Sequence, residues 1–288
     1  MDTPPFQTVA IIGRPDLGAH RAYFTKLANY LTRAGKTVFW ETELAGMLRR
    51  KKTPFADIKR RADLVLVFGG DGTFLHAVRH LVGCKAYFIG SKLGGHLGFL
   101  TEHDHTQLEA TLRKVFAGNF KHDERLLLTA RVERAGTVVK SLTALNEVVI
   151  NQPGLAQLMQ LDLATEKCPI TNLLADGVII ATPTGSTAYS LSAGGPIMYP
   201  SLSGFVITPI NPHILANRPI VVPEDFTLHA STSHAAVILT ADGQKTTRLK
   251  KGDVVHISQA DWHVPVIHPA KRNYFALLRA KLHWSARE

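Results

Sequence analysis

The run Gly69-Gly70-Asp71-Gly72-Thr73 directly follows the apolar stretch from Leu64 to Phe68. An uninterrupted apolar run of this length predicts a strand that is buried on both faces, as in a parallel sheet. The three glycines let the backbone turn tightly and approach a ligand, because no Cβ atom stands in the way. The apolar spacing that follows predicts a helix with Thr73 as its N-cap. This strand-turn-helix unit predicts a binding site for a phosphate or a ribose.

Asp71 is the ionisable residue of this turn. A carboxylate repels phosphate, so its presence suggests a task such as binding a metal ion or accepting a proton. Alternatively, Asp71 only supports the turn, and the pentapeptide alone leaves both interpretations open. The turn is not a Walker A loop, since no Lys-Ser or Lys-Thr pair follows it, and it lacks the Rossmann spacing G-x-G-x-x-G.

Length and composition exclude several classes of protein. The 288 residues suffice for two domains, and no apolar run is long enough to span a membrane or to act as a signal sequence. Cys84 and Cys168 cannot form a disulfide framework, which favours a reducing cytoplasm. The formal charge of +10 would attract nucleic acid, anionic lipid or phosphorylated small molecules, or is simply that of a solvated basic surface. The basic clusters lack interleaved aromatic residues, which disfavours nucleic acid. We therefore expect a cytoplasmic protein without a nucleic-acid or membrane partner.

The pattern of apolar residues changes near residue 121. Before it, strands alternate with helices, which predicts a Rossmann-like parallel α/β domain over residues 1–120. After it, short runs with period two, separated by Gly, Pro and Asn, predict an antiparallel β-sandwich-like domain over residues 121–270. Phe275, Leu278 and Leu282 then recur at helical spacing. They predict an apolar stripe on a C-terminal helix, residues 271–288, that returns to the first domain.

Two further stretches are candidates for contact with a ligand. Seven hydroxyl side chains fall between Thr182 and Ser192, more than helix caps and turns require, and each can bond to ribose hydroxyls, amides or phosphate. Tyr189 adds a ring for stacking. The glycines between Gly90 and Gly98 suggest backbone that lies against a ligand or against the Gly69 turn.

On these residues the chain resembles the NAD kinases. The motifs that match follow the family's order between residues 69 and 244 and include the glycine turn and the hydroxyl-rich block. The others are Gly94-Gly95-His96-Leu97-Gly98-Phe99-Leu100-Thr101-Glu102, Asn146-Glu147, Asp176-Gly177, Pro212-His213 through Asn217-Arg218-Pro219, and Asp242-Gly243-Gln244. Lipid kinases and phosphofructokinases share the glycine turn, whereas the hydroxyl-rich block is far more restrictive.

The resemblance implies a nucleotide-binding α/β domain, an NAD-binding β-rich domain and an activity. ATP would phosphorylate the 2′-hydroxyl of the adenosine ribose of NAD, giving NADP and ADP, with a divalent metal such as Mg²⁺ for which no protein ligand is assigned. Asp71 would be the catalytic base, and Gly72 would lie beside the same nucleotide. The other NAD-binding residues implied are Asn146, Glu147, Gln157, Leu174, Asp176, Thr187, Ala188, Tyr189, Ser190, Leu191, Ser192 and Gln244. We also expect a homo-oligomer, a dimer or a tetramer.

Leu174 and Gln157 depart from the family's pattern. Related sequences often carry a polar or basic residue at the first position, and some carry His at the second, so acceptance of NADH stays open. Two other functions compete with this interpretation. A diacylglycerol-type lipid kinase would share the glycine turn but would not explain the hydroxyl-rich block. A dinucleotide-binding sensor without catalysis would have no use for the carboxylate of Asp71.

Overall fold

The computed structural model describes residues 6–95, 98–152, 158–214, 216–234, 236–270 and 272–284. The chain divides into two compact units. The first unit takes in Met1–Asp123 and Pro265–Glu288, and the second takes in Glu124–Val264. Within the described ranges, no helix is both long and apolar enough to cross a membrane.

Strands and helices alternate in the first unit, as the sequence predicts. In chain order they are β1 (Thr8–Gly13), α1 (Arg21–Arg33), β2 (Thr37–Glu41), α2 (Thr42–Leu48), β3 (Lys52–Thr53), α3 (Phe55–Arg61), β4 (Leu64–Phe68), α4 (Asp71–His80), β5 (Tyr87–Lys92), β6 (His103–Asp104), α5 (Leu108–Phe116) and β7 (His122–Arg125). Short 3-10 helices at Pro15–His20 and His105–Gln107 lead into α1 and α5.

The second unit consists mainly of strands. In chain order its elements are β8 (Leu128–Arg134), β9 (Thr137–Ala144), β10 (Glu147–Asn151), β11 (Met159–Ala164), β12 (Pro169–Ala175), β13 (Gly177–Ala181), α6 (Tyr189–Ser192), β14 (Gly204–Ile210), β15 (Ile220–Pro223), β16 (Leu228–Ser231), β17 (Ile238–Ala241), β18 (Lys245–Arg248) and β19 (Val254–Gln259). A 3-10 helix at Gly185–Thr187 precedes α6. The chain ends with β20 (Val264–Ile267) and α7 (Tyr274–Leu282).

The sheet of the first unit has the strand order β3-β2-β1-β4-β5-β20-β7, with β6 also paired to β5. Parallel pairing joins β3 to β2, β2 to β1, β1 to β4 and β4 to β5. Leu64–Phe68 is buried along its whole length, which confirms the expectation of a strand covered on both faces. The chain order reverses between β1 and β4. Open parallel sheets bind ligands at the carboxyl ends of strands beside such a reversal, and the Gly69 turn leaves β4 there.

The strands of the second unit form antiparallel sheets, which confirms the predicted sandwich. One sheet has the order β12-β11-β16-β19-β8-β9, and the other has the order β15-β14-β13-β10-β17-β18. Alternate residues of both sheets, such as Leu128 of β8 and Val148 of β10, share one apolar core. The opposite face of the second sheet is also covered, since Ile179 and Val206 pack with Met198. Met198 follows the hydroxyl-rich block in the chain, and its N–H donates to the hydroxyl of Ser186 in that block.

The C-terminal helix lies in the first unit, as predicted, but its apolar stripe differs from the prediction. Tyr274 and Leu278 are 6% and 3% exposed, whereas Phe275 is 60% exposed and Leu282 is half-buried. The Asn273 side chain accepts a hydrogen bond from the Ala276 N–H and so caps the helix. With this start, Tyr274 and Leu278 lie one turn apart on the buried face. The expectation that Phe275 is buried is therefore wrong.

Candidate active site

The turn after β4 leads into α4 earlier than the sequence suggests. The helix begins at Asp71 with Gly70 as its N-cap, so the prediction of Thr73 as N-cap is wrong. The N–H of Thr73 already donates to the carbonyl of Gly70 within the first turn. A Cβ at Gly69 would lie 2.4 Å from Thr73 Oγ1, which explains why glycine is needed there. At Gly70 and Gly72 a Cβ would meet no described atom within 4 Å, so this side of the turn has room for a ligand.

The carboxylate of Asp71 holds the loop between β5 and β6. Its Oδ1 accepts hydrogen bonds from the N–H of Leu100 (3.0 Å) and from the N–H and hydroxyl of Thr101 (3.2 and 3.1 Å). Its Oδ2 accepts one from the N–H of Phe99 (2.8 Å). Asp71 thus supports the backbone, as one of the two interpretations has it. A carboxylate oxygen can accept more than one bond, so Oδ2 keeps acceptor capacity.

Gly98 in this loop and Gly90 in β5 make the contact with Asp71 possible. A Cβ at Gly98 would lie 2.0 Å from Asp71 Oδ1, and one at Gly90 would lie 2.1 Å from the carbonyl oxygen of Leu100. Any other residue at these positions would force the loop away from Asp71. The glycine-rich stretch therefore packs against the first turn, one of the two alternatives predicted for it. His96 and Leu97 of this motif lie outside the described residues.

Most hydroxyl groups between Thr182 and Ser192, a stretch that is described throughout, bond within the protein. The bonds are Thr182 to Leu145 O, Ser186 to Pro183 O, Thr187 to Thr184 O, Ser190 with Thr208, and Arg125 to Thr184. The hydroxyl count is therefore a weaker sign of a ligand than the sequence argument assumes. Tyr189 and Ser192 are exposed, while Thr187, Ala188 and Leu191 are partly exposed.

Asp242 fixes the turn that carries Asn146 and Glu147. Its carboxylate accepts hydrogen bonds from the N–H groups of Leu145 (3.0 Å), Asn146 (2.8 Å) and Glu147 (3.2 Å). A Cβ at Gly185 would lie 2.1 Å from the carbonyl oxygen of Asn146, so this turn also packs closely against the hydroxyl-rich block. Asp242 belongs to one of the motifs that match the NAD kinases, but it was not among the predicted site residues. Its position before Gly243, like that of Asp71 before Gly72, was the available signal.

Glu147 is a buried acid, and no ion pair with a described residue neutralises it. The residue is 7% exposed, and its Oε2 makes no hydrogen bond to any described residue. Burial and the charge of Asp242 raise the pKa of Glu147 to about 7, although the backbone N–H of Tyr189 opposes the shift. A perturbed carboxyl group with an unsatisfied oxygen, next to Asn146, is typical of a functional site.

The remaining predicted residues occupy varied environments. Asp176 Oδ2 accepts a hydrogen bond from the side-chain amide of Asn211 (2.9 Å). Leu174 is half-buried on β12, and its carbonyl accepts from the N–H of His213 (2.9 Å). Gln244 is exposed in the turn before β18. Gln157 lies outside the described residues. Within the described ranges, no group of three or more His, Cys, Asp and Glu side chains could hold a metal ion.

Two known domain families match this chain. Residues 9–120 match the ATP-NAD kinase N-terminal domain, and residues 145–269 match the ATP-NAD kinase C-terminal domain. The NAD kinase of Ralstonia nicotianae is 39% identical over 98% of this chain and 94% of its own length. The chain belongs to the NAD kinase family. It is therefore an NAD kinase by homology over nearly its full length, a phosphotransferase with an alcohol group as acceptor.

Further members of the NAD kinase family agree with this assignment. The NAD kinase of Magnetococcus marinus is 43% identical over 81% of this chain and 77% of its own length. The yeast NADH kinase complexed with NADH is 26% identical with a TM-score of 0.89, over 99% of this chain and 89% of its own. The Archaeoglobus fulgidus NAD kinase complexed with ATP is 24% identical with a TM-score of 0.73, over 95% of this chain and 99% of its own, which shows a shared fold.

Proposed function

We propose that this NAD kinase transfers the γ-phosphoryl group of ATP to the 2′-hydroxyl of the adenosine ribose of NAD, giving NADP and ADP. The observation that carries the proposal is the position of Asp71. It begins α4 at the carboxyl end of β4, beside the open side of the turn at Gly70 and Gly72. The N-terminus of a helix attracts phosphate, because its dipole and its first N–H groups point toward the ligand.

Asp71 has two roles in this proposal. Its Oδ1 holds Leu100 and Thr101 and thereby fixes the orientation of the carboxylate. Its Oδ2 accepts a single bond among the described residues, from Phe99, and so can take the proton of the attacking hydroxyl. Phosphoryl transfer needs chiefly positioning and charge neutralisation, so one oriented carboxylate is sufficient protein chemistry.

Residues of the second unit bind NAD in this proposal. Glu147 Oε2 is a buried acceptor without a partner in the described structure, and a ribose hydroxyl would satisfy it. Asn146 adds an amide on the same turn, and the exposed ring of Tyr189 is available for stacking. Thr187, Ala188, Ser190, Leu191, Ser192, Leu174, Asp176, Gln157 and Gln244 stay predictions as NAD-binding residues, and Gly72 as a residue beside the nucleotide.

A divalent metal, Mg²⁺, is part of the proposed reaction. Mg²⁺ usually binds through one or two carboxylates together with the phosphates of the substrate, rather than in a cage of protein ligands. Asp71 fits this mode, because it supplies one carboxylate at the proposed phosphate site. When bound, the metal would neutralise charge on the phosphates.

The ligands bound in the solved relatives extend to this chain as proposals. The yeast relative binds NADH and the Archaeoglobus relative binds ATP. We propose ATP as the phosphoryl donor and NAD as the acceptor, with NADH as the acceptor to be compared. The cytoplasmic location and the homo-oligomeric state, a dimer or a tetramer, stay predictions.

One incubation tests the proposal against its competitors. Purified protein is mixed with ATP and Mg²⁺ and with NAD, NADH or diacylglycerol, and the product is identified by mass spectrometry and ³¹P NMR. We expect ADP and a dinucleotide that is phosphorylated on the 2′-hydroxyl. Phosphorylated diacylglycerol would instead indicate the lipid kinase. Tight binding of NAD without any turnover would indicate the sensor.

A further inference from the structure

A partly buried ionic cluster lies next to the loop that Asp71 holds. It consists of Glu102, Asp123, His268 and Arg272, whose side chains are 10%, 21%, 5% and 14% exposed. Arg272 Nε donates to Glu102 Oε2 (3.0 Å), and Nη1 donates to Asp123 Oδ2 (2.7 Å). His268 Nε2 also lies 2.9 Å from Asp123 Oδ2. Arg272 thus joins two partly buried carboxylates that would otherwise repel each other.

The C-terminal segment that carries His268 and Arg272 contacts the loop and the adjoining β6 at two further points. His103 Nε2 lies 3.0 Å from the carbonyl oxygen of Ile267, where the imidazole N–H can donate. The rings of Phe99 and Tyr274 lie with their centroids 6.5 Å apart. Residues from both ends of the first unit therefore meet at this loop. Asp71 bonds to the loop backbone at residues 99–101, and the C-terminal segment contacts the loop at residues 99 and 102 and β6 at residue 103.

The chain connects the ionic cluster to Asp71 directly. Glu102 follows Thr101, and Thr101 gives Asp71 Oδ1 both its N–H and its hydroxyl. A displacement of Glu102 would therefore shift two of the donors that orient the carboxylate. Nothing in the proposed reaction requires Arg272 to touch a substrate.

We propose that Arg272 is a positioning residue for phosphoryl transfer, because it anchors Glu102 and thereby fixes the loop that orients Asp71. This inference rests on the proposed function in assigning the proton transfer to Asp71. Small displacements of a reacting group, of about 1 Å, can cost about 100-fold in rate. Loss of Arg272 is thus expected to lower turnover while the NAD-binding residues of the second unit keep their places.

The first test compares Arg272→Gln with Arg134→Gln. Arg134 is a matched control, since it makes a bidentate ion pair with Asp253 (2.7 and 2.7 Å) in the second unit and belongs to no part of the proposed site. We expect Arg272→Gln to lower kcat about 10- to 100-fold and to leave KM for NAD within about threefold. Arg272→Lys should recover part of the loss, because it keeps the charge but not the forked geometry. Equal kcat values for the two glutamine variants would overturn the proposal.

The second test needs no catalysis. Hydrogen exchange of the backbone amides of Phe99, Leu100 and Thr101 reports whether they still donate to Asp71. We expect faster exchange at these amides in Arg272→Gln and Arg272→Lys, and parental rates in Arg134→Gln. Parental protection in both Arg272 variants would refute the positioning role. An inactive parent whose amides respond as expected would instead refute the proposed function and leave the anchoring role standing.

Discussion

Asp71 in the first unit and Asp242 in the second hold backbone in the same way. Each carboxylate accepts the N–H groups of three consecutive residues, 99–101 for Asp71 and 145–147 for Asp242. Their surroundings differ, because Asp71 begins a helix beside open space at Gly72, whereas Asp242 has a positive φ of 49° and lies near buried Glu147. The hydrogen bonds thus orient the Asp71 carboxylate itself in the first unit. In the second unit they orient the residues that bond to Asp242, among them Asn146 and Glu147.

Asp71→Asn should give the largest effect. An amide keeps the size of the side chain but removes its basicity, and it also puts a donor where one carboxylate oxygen accepts from the loop. Turnover should therefore fall by at least the roughly 10²–10⁴-fold that is usual when a general base is removed. The affinity for NAD should change much less, because the proposed dinucleotide contacts lie on other residues. Turnover and calorimetric NAD binding would be measured on one sample that melts like the parent. Turnover within about threefold of the parent would leave Asp71 with its structural role alone.

Asp242→Asn should weaken the binding of NAD more than it lowers turnover, the reverse of what is expected for Asp71→Asn. An amide presents a donor where the carboxylate accepts bonds from Leu145, Asn146 and Glu147. A hydrogen bond to a charged group contributes about 1.5–3 kcal/mol, so KM for NAD should rise roughly 10- to 100-fold while kcat changes little. Steady-state kinetics with varied NAD would measure both constants. A fall in kcat with an unchanged KM would mean that the two aspartates do not differ as proposed.

Glu147→Gln tests whether the raised pKa of Glu147 makes the stability of the protein depend on pH. Burial and Asp242 raise the pKa of Glu147 to about 7, so between its ordinary value of 4.5 and 7 the folded chain retains a proton that the unfolded chain has lost. Stability therefore falls as the pH rises through this window, by at most roughly 3 kcal/mol. The buried amide of Gln keeps part of the desolvation cost, so a gain of about 1–2 kcal/mol is expected at pH 8. Urea unfolding at pH 5 and pH 8 would measure it.

His103 in the first unit is a control, because its pKa is lowered and its effect on stability has the opposite dependence on pH. Burial lowers the pKa of His103 to about 4, from an ordinary value of 6.5. The unfolded chain therefore binds the proton first, and stability falls as the pH drops through this window. This acid-side loss should remain in Glu147→Gln, because His103 lies in the other unit. A variant that is stabilised equally at pH 5 and pH 8 would contradict the assignment of the alkaline loss to Glu147.

The sequence predicts what depends on local pattern. The all-apolar stretch from Leu64 to Phe68 predicts β4, and the change of period near residue 121 predicts the change from parallel to antiparallel sheets. Such patterns do not indicate which residues distant in the chain will form hydrogen bonds with each other. The donors to Asp71 are 28–30 residues away in the chain, and nothing local indicates that a carboxylate at a glycine turn will bond to them.

The hydroxyl-rich block shows the limit of composition as a guide to function. Ser186 and Ser190 look like binding groups in the sequence, yet Ser186 bonds to Pro183 and Met198, and Ser190 bonds to Thr208. Hydroxyl groups satisfy buried backbone as readily as they satisfy a ligand. Phe275 was expected to be buried, but it is exposed. The Asn273 cap sets the start of the helix and so decides which face is buried.

Leu174→Arg should have the smallest effect and concerns the choice between NAD and NADH. Leu173 and Ala175 face the core, so Leu174 lies on the opposite face of β12, where it is half-buried. The nicotinamide ring is positively charged in NAD and neutral in NADH, and a nearby guanidinium would therefore disfavour NAD. In a partly exposed place such a repulsion is about 1 kcal/mol or less, so the ratio of kcat/KM for NAD to that for NADH should fall several-fold.

Asn172→Arg adds the same charge two residues away on the same exposed face and is the matched control. If both variants keep the parental ratio, Leu174 plays no part in the choice of dinucleotide, and if both shift it equally, the general surface charge rather than this position is responsible.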